Sequence, residues 1–458
     1  MNRNNVRIML VNAVNPHVEV ESRYPNLGLG YLVASVRAHF PDAGVGFKIA
    51  DRNIRATALD FKPHLVGISA VSQNFTRAAR LSEWFSERGI PVIFGGIHIT
   101  NMPETLPRSA VAACLGEAER TFPELTGLFL RGALTPARLK EIRGICFWDG
   151  DTLVKTSPRP LISDMDSIPF PARDLLRTRP HTYMFTSRGC PYRCKFCSSS
   201  RFWDKLRFFS AGYVVEEIEY LAKHHRAEMI SFFDDLFVSD IARLREIIRL
   251  LGKRNLLGKL KFTCSCRANV VSKELAALLS EMGVVSVGLG LESGDEETLR
   301  YLKGESIHVA DNHRAINLLK DASIAVNGSF VIGSPRETRE QVMKTYDFIK
   351  SSRLDLFDVY LLTPYPGTPV WKYAKERGLV SDEMPDWSVL DVNAYRALGK
   401  TVILSEVLSK KDILKLYNKF RALRLRRNFS KILAHPMRRD IPRMALKLLK
   451  ERFHGLIR

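Results

Sequence analysis

Thr186-Ser187-Arg188-Gly189-Cys190-Pro191-Tyr192-Arg193-Cys194-Lys195-Phe196-Cys197 is the stretch around which the chain is organised. Its three cysteines stand at C-x3-C-x2-C, close enough to share one tight loop and converge on one metal centre. Thiolate sulfur suits zinc and iron–sulfur clusters, and four ligands normally close either kind of site. The adjoining chain offers three. A cubane cluster held by three cysteines keeps one iron open for a substrate or cosubstrate. A structural zinc knuckle competes with that reading, and needs a fourth thiol that Cys264 or Cys266 could supply.

The composition favours an intracellular metalloprotein. The chain has 458 residues, 45% of them apolar, enough for more than one core. Seven cysteines, an odd number with three packed into eight residues, fit metal chemistry better than a secreted disulfide framework. The start, Met1-Asn2-Arg3-Asn4-Asn5, leads into only a short apolar run, and no run approaches the roughly 20 residues that span a bilayer. A cytoplasmic location is expected. The net charge of +20 is uneven, because residues 410–458 hold 16 Lys and Arg against 3 acidic residues.

Before the cysteine loop, strands alternate with helices. Val6–Val11, Val45–Ala50, Leu65–Ser69, Pro91–Phe94 and Ala112–Leu115 read as buried strands. That rhythm predicts an open parallel sheet of Rossmann type, with ligands at the strands' carboxyl ends. Four of those ends carry small or polar residues: Asn12, Ser69 to Ser72, Gly95-Gly96-Ile97-His98 and Gly116-Glu117. Residues 141–180 read as a connector, with a hairpin over Gly144–Val154 and five prolines between 158 and 180.

From Tyr183 the rhythm restarts, with strands at 183–187, 229–233, 261–266, 286–291, 325–332 and 359–363. Each is followed by polar or glycine residues, among them Asp234, Arg267, Glu292, Gly333 and the turn holding Tyr365. Strand carboxyl ends are where α/β barrels do chemistry. Arg267 suits a carboxylate, and an acidic side chain suits an ammonium or a ribose diol. Strand caps and salt bridges are the plain alternative. Cys264 and Cys266 share one face of a strand and read as buried, inert thiols.

The cysteine spacing, with Phe196 before the third cysteine, resembles the signature loop of the radical S-adenosylmethionine (SAM) enzymes. Earlier, Pro25-x-Leu27-Gly28-Leu29-Gly30-Tyr31-Leu32, then Gly67-Ile68-Ser69, Gly95-Gly96-x-His98 and Gly116-Glu117-x-Glu119 resemble the cobalamin-binding domain of the cobalamin-dependent members. The Asp-x-His-x-x-Gly motif of other cobalamin domains is absent, which implies cobalamin bound without a histidine below the cobalt. His98 is then expected as a turn or nucleotide-tail contact, or as a satisfied loop histidine. A degenerate domain binding no corrinoid stays open.

The resemblance covers residues from about 6 to 375. It implies an α/β chain with a Rossmann-like cobalamin-binding domain at 1–140 and a linker at 141–180. A partial (β/α)6 TIM-type barrel follows at 181–375, then a basic, mostly helical region at 376–458. It implies a [4Fe-4S] cluster on Cys190, Cys194 and Cys197, cleaving SAM to a 5′-deoxyadenosyl radical. SAM would meet Asp234, Arg267, Glu292, Ile332 and Gly333. Cobalamin would meet Asn12, Leu27, Gly28, Ser69, Ser72, Gly95, Gly96, His98, Gly116 and Glu117. Apart from the resemblance, Tyr365 is a candidate radical-path or substrate contact, and a Tyr-Pro-Gly-Thr-Pro turn explains it equally well. The expected reaction is methylation of an unactivated carbon through methylcobalamin. A cobalamin-using cyclase, oxidase or rearrangement enzyme is the alternative, and a non-catalytic corrinoid- or zinc-binding protein is the one from another class. A flavodoxin or ferredoxin would supply electrons to a reaction on a small-molecule or lipid-like substrate.

In the basic tail, Ile413, Leu416, Tyr417, Phe420 and Leu423 recur at helical spacing, and 442–457 repeats the pattern weakly. Basic amphipathic helices suit an anionic membrane surface. A helical cap with a solvated basic face explains the same pattern. No RNA-binding module is recognisable, so nucleic acid is not expected.

Overall fold

The fold was taken from a computed structural model, in which residues 6–14, 25–391 and 401–431 are described. The chain forms two compact units, residues 1–230 with 363–403 and residues 231–362 with 404–458. This division differs from the expected boundaries at 140, 180 and 375.

The first unit holds a seven-stranded sheet. Its strands are β1 (Arg7–Asn12), β2 (Gly46–Ala50), β3 (Leu65–Ser69), β4 (Val92–Gly95), β5 (Ala112–Cys114), β6 (Ile145–Asp149) and β7 (Thr152–Lys155), in the order β2-β1-β3-β4-β5-β6-β7. β1 to β5 are parallel, as the near-continuous apolar runs require of strands covered on both faces. Ile8, Leu10, Leu65, Ile93 and Ala112 meet Val33 and Val36 of the helix Leu27–His39 and Phe122 and Leu125 of the helix Thr121–Leu130 in one core.

The hairpin expected within the connector is present, but it belongs to this sheet. β6 runs antiparallel to β5, with Ala113 opposite Cys146, and β7 pairs β6. The connector beyond returns to the sheet's helices. Ala172 N–H bonds the Gly30 carbonyl at 3.0 Å. A Cβ on Gly30 would lie 2.9 Å from Leu176, so close packing, rather than a ligand, accounts for that glycine.

The second series of strands is β8 (His181–Met184), β11 (Met229–Phe232), β12 (Lys261–Cys266), β13 (Val284–Glu292), β14 (Ala325–Ile332) and β15 (Leu356–Leu361). They form an open six-stranded sheet in sequence order, β8-β11-β12-β13-β14-β15. The boundary between the compact units falls inside β11, between Ile230 and Ser231. Pairing is parallel from β12 to β15, with register shifts between Phe262 and Thr263 and between Gly290 and Glu292. β8 ends at Met184, before the expected Ser187. Ser187–Arg188 (β9) instead pairs antiparallel with Arg207–Phe208 (β10).

In the second unit, the basic helix Lys410–Lys431 packs on β15 and on the helix Arg339–Ser351. Ile413, Leu416, Tyr417 and Phe420 are buried, and Arg424 pairs with Asp358 at 2.8 Å. The apolar stripe of this helix is therefore spent on the protein itself. The weaker pattern at 442–457 lies outside the described residues. No described helix is long and apolar enough to cross a membrane.

Candidate active site: a cysteine loop and two rows of strand ends

The loop's thiols stand apart from the rest of the cysteines. Cys190, Cys194 and Cys197 are half-buried, whereas Cys114, Cys146, Cys264 and Cys266 are buried. Burial pushes the Cys114, Cys146 and Cys266 thiols up to about 12, and raises Cys264 well above its ordinary value. Burial thus disfavours the thiolate form of those four, in contrast to the partly open loop cysteines. The loop closes tightly, with Cys197 N–H on the Cys194 carbonyl at 3.2 Å. No three His, Cys, Asp or Glu side chains among the described residues gather closely enough for a single ion. A cubane asks for something wider, one thiolate at each of three corners, and a partly open three-cysteine loop fits that demand.

Within the first unit, the loop is entered through Arg188. Its guanidinium is buried, donates to Glu117 Oε1 at 2.8 Å and also bonds Glu119. Arg207 donates to both oxygens of Glu117, at 2.9 and 3.0 Å. Ile162 N–H donates to Glu117 Oε2 at 2.8 Å. Burial alone would raise the Glu117 carboxyl, but bonding from Arg207 and the charge of Arg188 hold it below its ordinary range. Burial opposes the Arg188 charge, and Glu119 and Glu117 more than restore it. Both Glu117 oxygens are thus taken by protein donors.

His98 fits the satisfied loop histidine, one of its two expected roles. It lies in the short helix Ile97–Asn101, fully buried, with Nδ1 3.0 Å from Ser72 Oγ and Nε2 3.1 Å from Thr105 Oγ1. Its ring stacks on Phe75 at 3.9 Å and meets Trp387 edge-on at 4.4 Å. Burial lowers its pKa to about 3. No ring nitrogen remains for a nucleotide tail or a metal. Ser72, bonded to His98 and buried, is likewise spent on packing.

The other expected positions leave room at the sheet's carboxyl edge. A Cβ on Gly95 or Gly116 would meet nothing within 4 Å, so the ends of β4 and β5 present bare backbone to open space. Gly96 is different, since with φ +101 a Cβ there would lie 2.6 Å from the Ala70 carbonyl. Leu27 is buried, whereas Gly28 is exposed and Ser69 intermediate. A cavity of about 440 Å³, within the usual range for small-molecule sites, opens at the ends of β1 and β2. Asn12, Asn26, Asp51, Asn53 and Arg177 line it. An open glycine edge beside a polar cavity fits a large, flat, amide-rimmed group.

The second unit carries its own row of polar strand ends. Asp234 is buried after β11. Arg267, after β12, donates to the Lys303 carbonyl and Ser306 Oγ, both at 3.2 Å, and to Asn269 at 3.0 Å. Glu292 closes β13 at φ +61, left-handed for a non-glycine and therefore a strained backbone position. Burial raises its pKa, outweighing Lys303 Nζ at 3.5 Å. Ile332 is buried and Gly333 follows at φ +86. Beneath them Glu337 Oε2 accepts from Gly333 N–H at 2.7 Å and Ser334 N–H at 3.1 Å. Glu337 Oε1 and Ser334 Oγ are buried without a partner, which leaves polar atoms at this turn for a polar cosubstrate. Tyr365, beyond β15 and in the first unit, is half-buried.

Sequence reasoning passed over Lys303, Asn101 and Arg207, and quoted Arg188 without giving it a role. Arg188 alone had a signal, its place beside Gly189-Cys190.

Residues 17–126 match the B12 binding domain, and residues 184–349 match the radical SAM superfamily. An uncharacterized methyltransferase of Pyrococcus horikoshii, PH0819, is 32% identical over 373 residues, covering 78% of this chain and 80% of that protein. The chain belongs to the cobalamin-dependent radical SAM enzymes. As such an enzyme it uses a [4Fe-4S] cluster, SAM and cobalamin, and its family includes methyltransferases and related cyclases. The anaerobic magnesium-protoporphyrin IX monomethyl ester cyclase of Cereibacter sphaeroides is 26% identical over 414 residues, covering 85% of this chain and 67% of the cyclase. Among solved structures, the radical SAM methyltransferase TsrM of Kitasatospora setae superposes with a TM-score of 0.66 at 21% identity, over 82% of this chain and 77% of TsrM. At that identity the likeness concerns the fold of a radical SAM enzyme.

Proposed function

We propose that this cobalamin-dependent radical SAM enzyme methylates an unactivated carbon of a small-molecule substrate. The observation that carries this reading is the three accessible thiols on a loop anchored to an open glycine edge. When bound, the cluster would supply an electron to SAM and the corrinoid a methyl group. In net terms R–H becomes R–CH3. One SAM ends as methionine and 5′-deoxyadenosine, which keeps the substrate hydrogen, and a second ends as S-adenosylhomocysteine. Two electrons come from a reductant such as flavodoxin or ferredoxin, in the cytoplasm.

The chain's own part is binding and orientation. Cys190, Cys194 and Cys197 hold the cluster as thiolates. The bare backbone at Gly95 and Gly116, with Asn12 and Ser69, receives the corrinoid. Asp234, Arg267 and Glu292 face the polar groups of SAM, and the backbone at Ile332 and Gly333 reads its adenine. Tyr365 stands at the substrate side. The 26% identical cyclase supports a second reading, cobalamin-dependent cyclisation without methyl transfer.

The test is to load the chain anaerobically with iron, sulfide and cobalamin, then add reductant and SAM with a deuterated methyl group. Deuterated methyl recovered with the corrinoid is the expected result. SAM cleaved to 5′-deoxyadenosine with an unlabelled corrinoid would favour cyclisation. Zinc in place of iron would end both readings.

A further inference from the structure

The cysteine loop is gripped at both shoulders by the corrinoid-binding sheet's own loops. Two residues before Cys190, Arg188 shares the Glu117 carboxylate with Arg207 and also bonds Glu119. Trp203 lies between the two cations, its ring 5.3 Å from the Arg188 guanidinium and 5.5 Å from that of Arg207. Gly189 then turns at φ +94, where a Cβ would lie 2.6 Å from the Lys205 carbonyl. One residue after Cys197, Ser198 Oγ accepts from Asn101 Nδ2 at 3.3 Å. The same amide donates to the Pro366 carbonyl at 3.2 Å, and Ser198 Oγ donates to that carbonyl at 3.4 Å. Gly367, at φ +81, passes so near that a Cβ would lie 2.9 Å from the Asn101 side chain.

Glu117 and Glu119 follow β5, and Asn101 ends the helix that follows β4. These are the strands whose ends are left open by Gly95 and Gly116. We propose that Glu117 and Asn101 are positioning residues, which fix the cysteine loop against the corrinoid-facing edge so that cluster and corrinoid share one frame. The proposal takes its meaning from the function proposed above. A buried carboxylate between two arginines suits this task, because charge-assisted, forked hydrogen bonds fix orientation as well as distance. Losing one partner leaves buried charge uncompensated, so the loop cannot swing away without a large penalty. The Asn101 contact is neutral and weaker, and sets the other end.

The experiment compares wild type, E117Q, N101A and, as a control, E124Q, which breaks the Glu124–Arg159 pair in the same sheet's surroundings. Each is loaded with iron and cobalamin, and backbone hydrogen exchange is followed over residues 186–200. Exchange there is expected to be at least about tenfold faster in E117Q and measurably faster in N101A, with iron and cobalt contents kept and E124Q unchanged. The deuterated methyl reaching the corrinoid, per 5′-deoxyadenosine formed, is expected to fall in both variants. Exchange at wild-type rates in N101A and E117Q overturns the proposal, whatever reaction the enzyme catalyses. If E117Q does not fold, N101A decides alone. A wild type that passes no label to the corrinoid overturns the methylation reading but leaves the exchange test intact.

Discussion

Glu337 accepts the Gly333 backbone N–H at 2.7 Å with one carboxylate oxygen, while its other oxygen is buried with no partner. Burial raises this carboxyl to about 7, against the two backbone bonds that favour its charge. The folded state therefore binds a proton between about pH 4.5 and 7 that the unfolded chain has released. Stability from this group is present at low pH and lost as pH rises through 7, on the order of 3 kcal/mol in all. Glu337→Gln keeps an acceptor for Gly333 and abolishes the titration. It should unfold at a higher temperature than wild type at pH 8 and at the same temperature near pH 5. Parallel melting curves at both ends of the range would reject the assignment.

His98 titrates the other way. Its folded pKa, lowered to about 3 by burial, lies below the unfolded value, so the unfolded chain takes up a proton first as pH falls. Stability from the neutral ring is complete above about pH 6.5 and is lost progressively toward pH 3. His98→Gln should flatten that acid limb while leaving cobalt content per chain unchanged. A drop in bound cobalamin at neutral pH would restore His98 to the cofactor site.

Single alanine replacements of Cys190, Cys194 and Cys197 should each abolish stable cluster loading, read as loss of the roughly four irons expected for one cubane. Cys264→Ala and Cys266→Ala should keep their iron and lose only packing, about 1 kcal/mol each. Iron lost from either of the latter two would reopen the question of a fourth thiol.

Arg173 and Glu217 pair at 2.6 Å with neither side chain exposed. Arg173 Nε and Nη1, Glu217 Oε2 and the Tyr31 and Tyr213 hydroxyls are buried nearby without partners. Glu217→Gln should cost about 3–5 kcal/mol in urea unfolding, because it strands a buried guanidinium. Adding Arg173→Met should recover much of that loss. The orphaned atoms also call for ordered water, which a high-resolution electron-density map would display among these side chains.

Much of this fold was written locally. Ile8–Val11 and Leu65–Ile68 are apolar runs ending at small or polar residues, and buried parallel strands follow directly from such runs. The cysteine loop declared itself by spacing. What stayed hidden depended on partners distant in sequence. Nothing near Ile145 says that β6 joins β5, since antiparallel pairing to Ala113 is a tertiary choice. Nothing near His98 announces Trp387, and nothing near Glu117 announces Arg188 and Arg207. A polar residue at a strand end reads the same whether it faces a ligand or a guanidinium, so the arginine partners of Glu117 were not legible.

Among the described residues the six-stranded sheet is open, and β15 has a hydrogen-bonded neighbour, β14, on one side only. The helix Lys410–Lys431 lies against that strand, tied to it by Arg424 on Asp358, while Phe420 meets Tyr346 of the helix Arg339–Ser351. A bare end strand is a template for any extended chain that drifts by, and crowded lysines and arginines are among the means by which proteins discourage such encounters. A chain cut short before Lys410 would thus fail first by self-association, precipitating as its concentration rises while its cysteine loop remained intact.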